Sequence, residues 1–369
     1  MFSKKKIAQR LFSKYHSLKD SDVRISKKEL EDVKKLYIKS LIISALIGVL
    51  FVLLFYIPIY IFPDFFNGNI IKLNAFGGSI EIRWIRELDN FLLTYVELYF
   101  LSILSIYMIQ NLAAILDFPS MHSRHYQLHI KNIEQLSIEV KQKNEKALGL
   151  NPFLGLSKVQ LFFMLIIARF KAMFSNMLIK FLLQRFASRY LLKTVIDMVG
   201  APVYAFWNAY ATSKLFRDSK YYIFSVELSD YLAENLEKET AIQSEIKKEL
   251  QHLLVSVVAL KREYSEINHY FSTRLIESMA IEFEPSEYKS LDVEAITQTT
   301  DEKSLRWLLL LFASGIIMDG HVSRREKKVV AQIRDKVTLK NNALESLEEF
   351  LSAYKAGKGI EYIQANYLK

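Results

Sequence analysis

The chain has 369 residues, 51% of them hydrophobic and 24% charged, with 11 Gly, 6 Pro and no Cys. Collagen-like, low-complexity and wholly disordered classes are excluded by the low Gly and Pro and the high apolar content. Disulfides, cysteine-ligated metals and cysteine nucleophiles are excluded by the absence of thiols. The net charge of +9 is divided unevenly, with 30 Lys/Arg against 16 Asp/Glu in residues 1–220 and 19 against 24 in residues 221–369. That split predicts a basic, membrane-associated first half and an acidic, soluble second half, and the apolar runs and helical charge patterning below predict an all-α fold.

Residues 1–39 form a basic N-terminal segment with 12 Lys/Arg. Residues 41–62 follow as 22 residues without a charge, which at ~1.5 Å per residue reach across a hydrocarbon core of ~30 Å. The run is too long for a signal peptide and has no small-residue cleavage site. A second run, 91–116, holds one ionisable group, Glu97. Lys/Arg are sparse in the intervening 63–90 and denser on both outer flanks. A hairpin domain, 40–117, is therefore expected, with its loop outside and both termini in the cytoplasm of a bacterial inner membrane. The Asn-Gly and Gly-Gly pairs and the alternating IEIRWI of the loop suit a small β-hairpin. Glu97 lies about two turns inside its span beside Tyr95 and Tyr99, so it is expected to reach outer headgroups rather than conduct ions.

Residues 118–220 read as a basic amphipathic, membrane-associated region. His122, His125 and His129 recur at helical spacing. One straight helix closes a tetrahedral metal site poorly, and headgroup contact is the plainer expectation. From 146 to 196 there are eight Lys/Arg and no acid. Arg185, Arg189 and Lys193 form one stripe there, the predicted contact with anionic lipid. Residues 195–216 are apolar apart from Asp197. Two placements stay open for them: a third inserted helix or the core of the middle region. This stretch has a faint resemblance to EcsC-like membrane-associated proteins, which implies no site.

Residues 221–369 show helical charge patterning, a looser connection at 284–303, and helices again from 305. Asp319, Gly320, Val322, Ser323 and Glu326 lie between two apolar periodic segments. Ser323 and Glu326 have the spacing of a capping box, and Gly320 suits a helix-ending turn. Segment 308–335 also resembles TerB-like helical domains, named for tellurite resistance, whose core is an apolar helix, an Asp-Gly turn and a Ser-x-x-Glu start. The resemblance implies a helical module of membrane-linked stress systems, with Asp319 and Glu326 as candidate ligands of a divalent cation. Structural capping is the preferred reading of that pair, and no other cofactor is called for. Segment 253–269 aligns without gaps to 311–327, with Leu253, Ser256 and Ser265 matching Leu311, Ser314 and Ser323. In that first copy Lys261 stands where Asp319 does and Asn268 where Glu326 does, so a cation site that required acids from both copies would be lost there.

No phosphate loop, nucleophile elbow or paired-histidine zinc motif is present, so no enzyme activity is expected. The basic excess is explained by orientation and lipid, not nucleic acid. The expected function is a membrane-anchored adaptor or sensor, in envelope or metal stress, that meets protein partners through 221–369. The alternative is a subunit of a homo-oligomeric channel or transporter.

Overall fold

A computed structural model describes residues 25–75, 78–119, 125–137, 193–261, 265–281, 301–337, 339 and 342–367. Helix α1 (Lys27–Ile61) begins at a capping box. Ser26 N–H donates to Glu29 Oε2 at 2.7 Å and Glu29 N–H to Ser26 Oγ at 3.1 Å, pairing two amides that the helix leaves unbonded. A short helix, α2 (Pro63–Gly68), follows with Pro at its first position, where a missing N–H costs nothing. Strands β1 (Ile70–Ala75) and β2 (Gly78–Arg83) pair antiparallel from Ile70 opposite Arg83 to Ala75 opposite Gly78. This is the hairpin expected in the loop. Helix α3 (Trp84–Ile115) then returns. Helices α1 and α3 are each long and apolar enough to cross a membrane; each begins before its apolar segment, 41–62 or 91–116, and stops one residue short of that segment's end.

Helix α4 (Tyr126–Ser137) leads to α5 (Lys193–Lys238), one helix of 46 residues with Pro202 inside it. Then come α6 (Thr240–Lys261), α7 (Glu266–Ser278), α8 (Glu302–Ile317), α9 (Arg324–Lys336), α10 (Leu347–Lys355) and α11 (Gly359–Asn366). The β-hairpin is the one sheet among the described residues, and the fold is all-α. The sequence boundary at 220/221 falls inside α5, which passes from one part of the molecule to the other without a break.

Two packing patterns coexist. In α1, Ile42, Leu46, Leu50 and Leu54 are exposed, while Ser40, Ser44 and Gly48 recur every four residues on the buried face. That buried face meets α5, and α3 also packs on both helices. Beyond residue 216 the pattern is the usual one. Helix α8 is buried all round from Trp307 to Ile317, as a helix with no polar face must be, and packs chiefly on α6. Asp301 caps α8 through Ser304 N–H at 2.8 Å, and Ser265 caps α7 through Asn268 N–H at 3.3 Å.

Candidate functional site

The turn between α8 and α9 carries the two acids singled out by sequence. Gly320 takes φ +74°, and a Cβ there would meet the Tyr221 ring at 2.3 Å, so both backbone and space require glycine. Ser323 N–H donates to Glu326 Oε2 at 2.6 Å and Glu326 N–H to Ser323 Oγ at 3.3 Å, forming the capping box in full. Glu326 is nevertheless more than a cap. Its other oxygen faces the ammonium of Lys261, the last residue of α6, at 2.9 Å, and Asp319 Oδ1 faces the same ammonium at 2.8 Å. The Glu326 contact is an ion pair rather than an aligned hydrogen bond.

Lys261 also donates to the carbonyls of Ile316 and of His321, the latter at 3.1 Å. Four oxygens, two of them charged, therefore surround one cation supplied by the chain. Lys261 and Glu326 are almost fully buried, with side chains 7% and 2% exposed, and Asp319 is at the rim, 41% exposed. An unpaired charge at such depth is costly, and here each supplies the other's counter-charge. Among the described residues no group of three or more His, Asp or Glu gathers at metal-binding distance. Sequence alignment placed Lys261 opposite Asp319 and read it as a lost acid. In the structure the two aligned positions meet, and the lysine occupies the place a bound cation would take.

The other predicted residues are placed differently. Arg185, Arg189 and His122 lie outside the described residues, and Lys193 is the first residue of α5. His125 and His129 do not face headgroups. His129 is fully buried, its Nδ1 lies 3.3 Å from Tyr222 Oη, and its ring centroid is 4.8 Å from that of Tyr270. Tyr222 also accepts from Asn132 Nδ2 at 2.9 Å. His125 Nε2 pairs with Glu277 Oε2 at 3.2 Å. Burial, reinforced by the His125 charge, pushes the His129 imidazole down to about 3. It packs as a neutral core group between α4, α5 and α7. Beside it Tyr270 Oη donates to Asp230 at 2.6 Å, and Arg274 joins Asp230 and Glu237 at 3.1 Å each.

Glu97 is the clearest departure from expectation. It is 2% exposed and accepts a hydrogen bond from Asn208 Nδ2 of α5 at 2.7 Å. It points into the helix trio, not toward outer headgroups, because α5 supplies the polar partner that water would otherwise supply. Thr212 Oγ1 donates to Ser44 Oγ at 2.7 Å, and Tyr37 and Ser213 share a bond of 2.8 Å. A cavity of about 20 Å³ beside Glu97, lined also by Asn90, Thr94, Tyr56 and Tyr204, has room for one water.

Comparison with family models, with characterised proteins and with solved structures finds no match.

Proposed function

We propose that the chain is a membrane-anchored adaptor or sensor. In this reading α1 and α3 hold it in a bacterial inner membrane with both termini in the cytoplasm, and the helical domain beyond residue 216 engages protein partners as a TerB-like module. The observation that supports it is α5, whose first half packs on the apolar pair and whose second half lies in the core of the helical domain. Beyond Pro202, α5 holds no further proline or glycine up to Lys238, and sharp bends in helices arise at such residues, so displacement around Asn208 is carried into the helical domain. The internal lysine at Asp319 and Glu326 favours a structural use of that turn, and the adaptor reading needs no cation there.

A channel or transporter subunit is the second reading, favoured by the buried Glu97–Asn208 pair beside its small cavity. An acid at membrane depth is by default a functional candidate. One experiment separates the two. Cells carrying the full chain are compared with cells carrying a chain cut after Lys238 and with a Glu97→Gln variant. An adaptor loses its phenotype and its captured partners on truncation and keeps them in Glu97→Gln. A conduction pathway keeps ion flux on truncation and loses it in Glu97→Gln.

A further inference from the structure

The first half of α5 runs antiparallel to α1 and at the same height. Three contacts fix the register. Ser213 meets Tyr37, Thr212 meets Ser44, and Asn208 meets the Gly48 backbone, where an added Cβ would lie 2.9 Å from Asn208 Nδ2 and from the Tyr204 carbonyl carbon. Higher up, Tyr204 shares a cavity wall with Phe51, Val52 and Phe55. Every step down in α5 numbering is thus a step up α1. From Tyr204 to Lys193 the helix rises a further ~16 Å at ~1.5 Å per residue, and from Val52 to Ile61 α1 rises ~14 Å. By this count the start of α5 stands level with the outer end of α1.

The sequence of α5 fits that placement. Lys193 and Lys214 bracket twenty residues with one formal charge, Asp197, a length of ~30 Å that matches a hydrocarbon core. Among the described side chains of this half, Asn208, Thr212 and Ser213 turn inward and are bonded to Glu97, Ser44 and Tyr37. Its outer face presents Phe206 and Tyr210, 62% and 50% exposed with rings stacked at 6.3 Å. Apolar groups outward and bonded polar groups inward is the pattern of a helix with lipid on one side and other helices on the other. Gly48 lets the two backbones approach closely, as small residues do between membrane helices.

We propose that the first half of α5 is a further membrane-crossing helix, running from the outer face to the cytoplasm, with Phe206 and Tyr210 against lipid acyl chains. The proposal rests on the membrane placement of α1 and α3 and adds to it.

Single cysteines in this thiol-free chain test it on the full-length protein. Ser79→Cys, Thr194→Cys and Ser352→Cys are each exposed to an impermeant maleimide in intact and in permeabilised cells. Ser79 and Thr194 are expected to label in intact cells and Ser352 only after permeabilisation. Labelling of Ser79 but of Thr194 only after permeabilisation overturns this proposal and leaves the α1–α3 hairpin standing; failure of Ser79 itself overturns both. If Thr194 is blocked on both sides, a second measurement decides. Bimane on Phe206→Cys, in phosphatidylcholine–phosphatidylglycerol vesicles, is expected to be quenched severalfold more by a mid-chain doxyl lipid than bimane on Ser352→Cys. Equal quenching at the two positions overturns the proposal.

Discussion

The helix trio of α1, α3 and the first half of α5 and the helical domain beyond residue 216 use the same residue types in opposite senses. In the trio Leu46, Leu50 and Leu54 face out and Ser44, Asn208 and Glu97 face in; in the domain Leu308, Leu309 and Phe312 face in. Both regions are helical, so secondary structure does not distinguish them. In the proposed reading, what differs is the solvent each is built for. In water, apolar burial at ~25 cal/mol per Å² holds helices together. In lipid that force vanishes between helices, leaving close packing and interhelical hydrogen bonds. Helix α5 obeys both rules along its length: inward Asn208 and Thr212 in its first half, buried Tyr222, Ile223, Leu228 and Leu232 in its second. The change of packing along this one helix falls near Lys214–Lys220, where the proposed membrane boundary lies.

The contrast is broken most severely at Lys261. Lys261→Met leaves Glu326 buried with a charge and no counter-ion, and removing one partner of a buried ion pair costs ~3–5 kcal/mol. Chemical unfolding of the full chain in mild detergent should show this loss in the transition of the helical domain beyond residue 216. Glu326→Gln keeps the cap to Ser323 but weakens the attraction on Lys261, so it should shift the same transition by a smaller amount. An unchanged midpoint in Lys261→Met would show that the pair carries no net stability.

A pH titration sharpens the comparison at the next level of effect. The folded state holds His129 neutral, its imidazole pushed by burial from 6.5 to about 3. Between those values the unfolded chain binds a proton that the folded chain refuses, so stability falls as pH falls through that window, by ~1.4 kcal/mol per unit. At pH 5 the loss is ~2 kcal/mol, and above 6.5 it is nil. Glu227 works in the other direction, since burial pushes its carboxyl up from 4.5 to about 8 and its contribution grows as pH falls below 8. The difference between wild type and His129→Gln removes that background. Its slope should appear below pH 6.5 in the unfolding transition of the helical domain beyond residue 216. A pH-independent difference would mean that the imidazole is reached by water.

How legible all this was depended on how local each feature is. The apolar runs 41–62 and 91–116 and the Ser323–Glu326 box are complete within one window of sequence. The Gly320 turn is equally local, because positive φ is a property of one residue. Lys261 lies 58 residues from Asp319 and 65 from Glu326, so only the alignment of 253–269 with 311–327 linked them. Reasoning by residue type then took a cation at an acid's place for a loss, when it is the acids' partner. Glu97 was misplaced for the same reason: Asn208 lies 111 residues away, and flanking tyrosines were the nearest visible explanation. His129 looked juxtamembrane by position, and only the packing of Tyr222 and Tyr270 around it makes it core.

The smallest expected effect falls in the seam between α1 and α5. Thr212→Val is close to isosteric and removes the bond from Thr212 Oγ1 to Ser44 Oγ. In a soluble core, leaving the Ser44 hydroxyl buried and unbonded would cost ~1–3 kcal/mol. In a membrane bundle the cost is smaller, averaging ~0.6 kcal/mol, because the dissociated helices also find partners for their hydroxyls. Ser44 has such a partner in reach. Ser102 and Ser105 of α3 already donate to carbonyls four residues back, at 2.6 and 2.8 Å, and the Ser40 carbonyl stands in the same relation to Ser44. Steric trapping of the full chain in bilayers should therefore find Thr212→Val within ~1 kcal/mol of wild type. A loss of 2 kcal/mol or more, on the scale of ~1–3 kcal/mol for an orphaned core hydroxyl, would mean that the Ser40 carbonyl does not take up the Ser44 hydroxyl and would count against lipid around this seam.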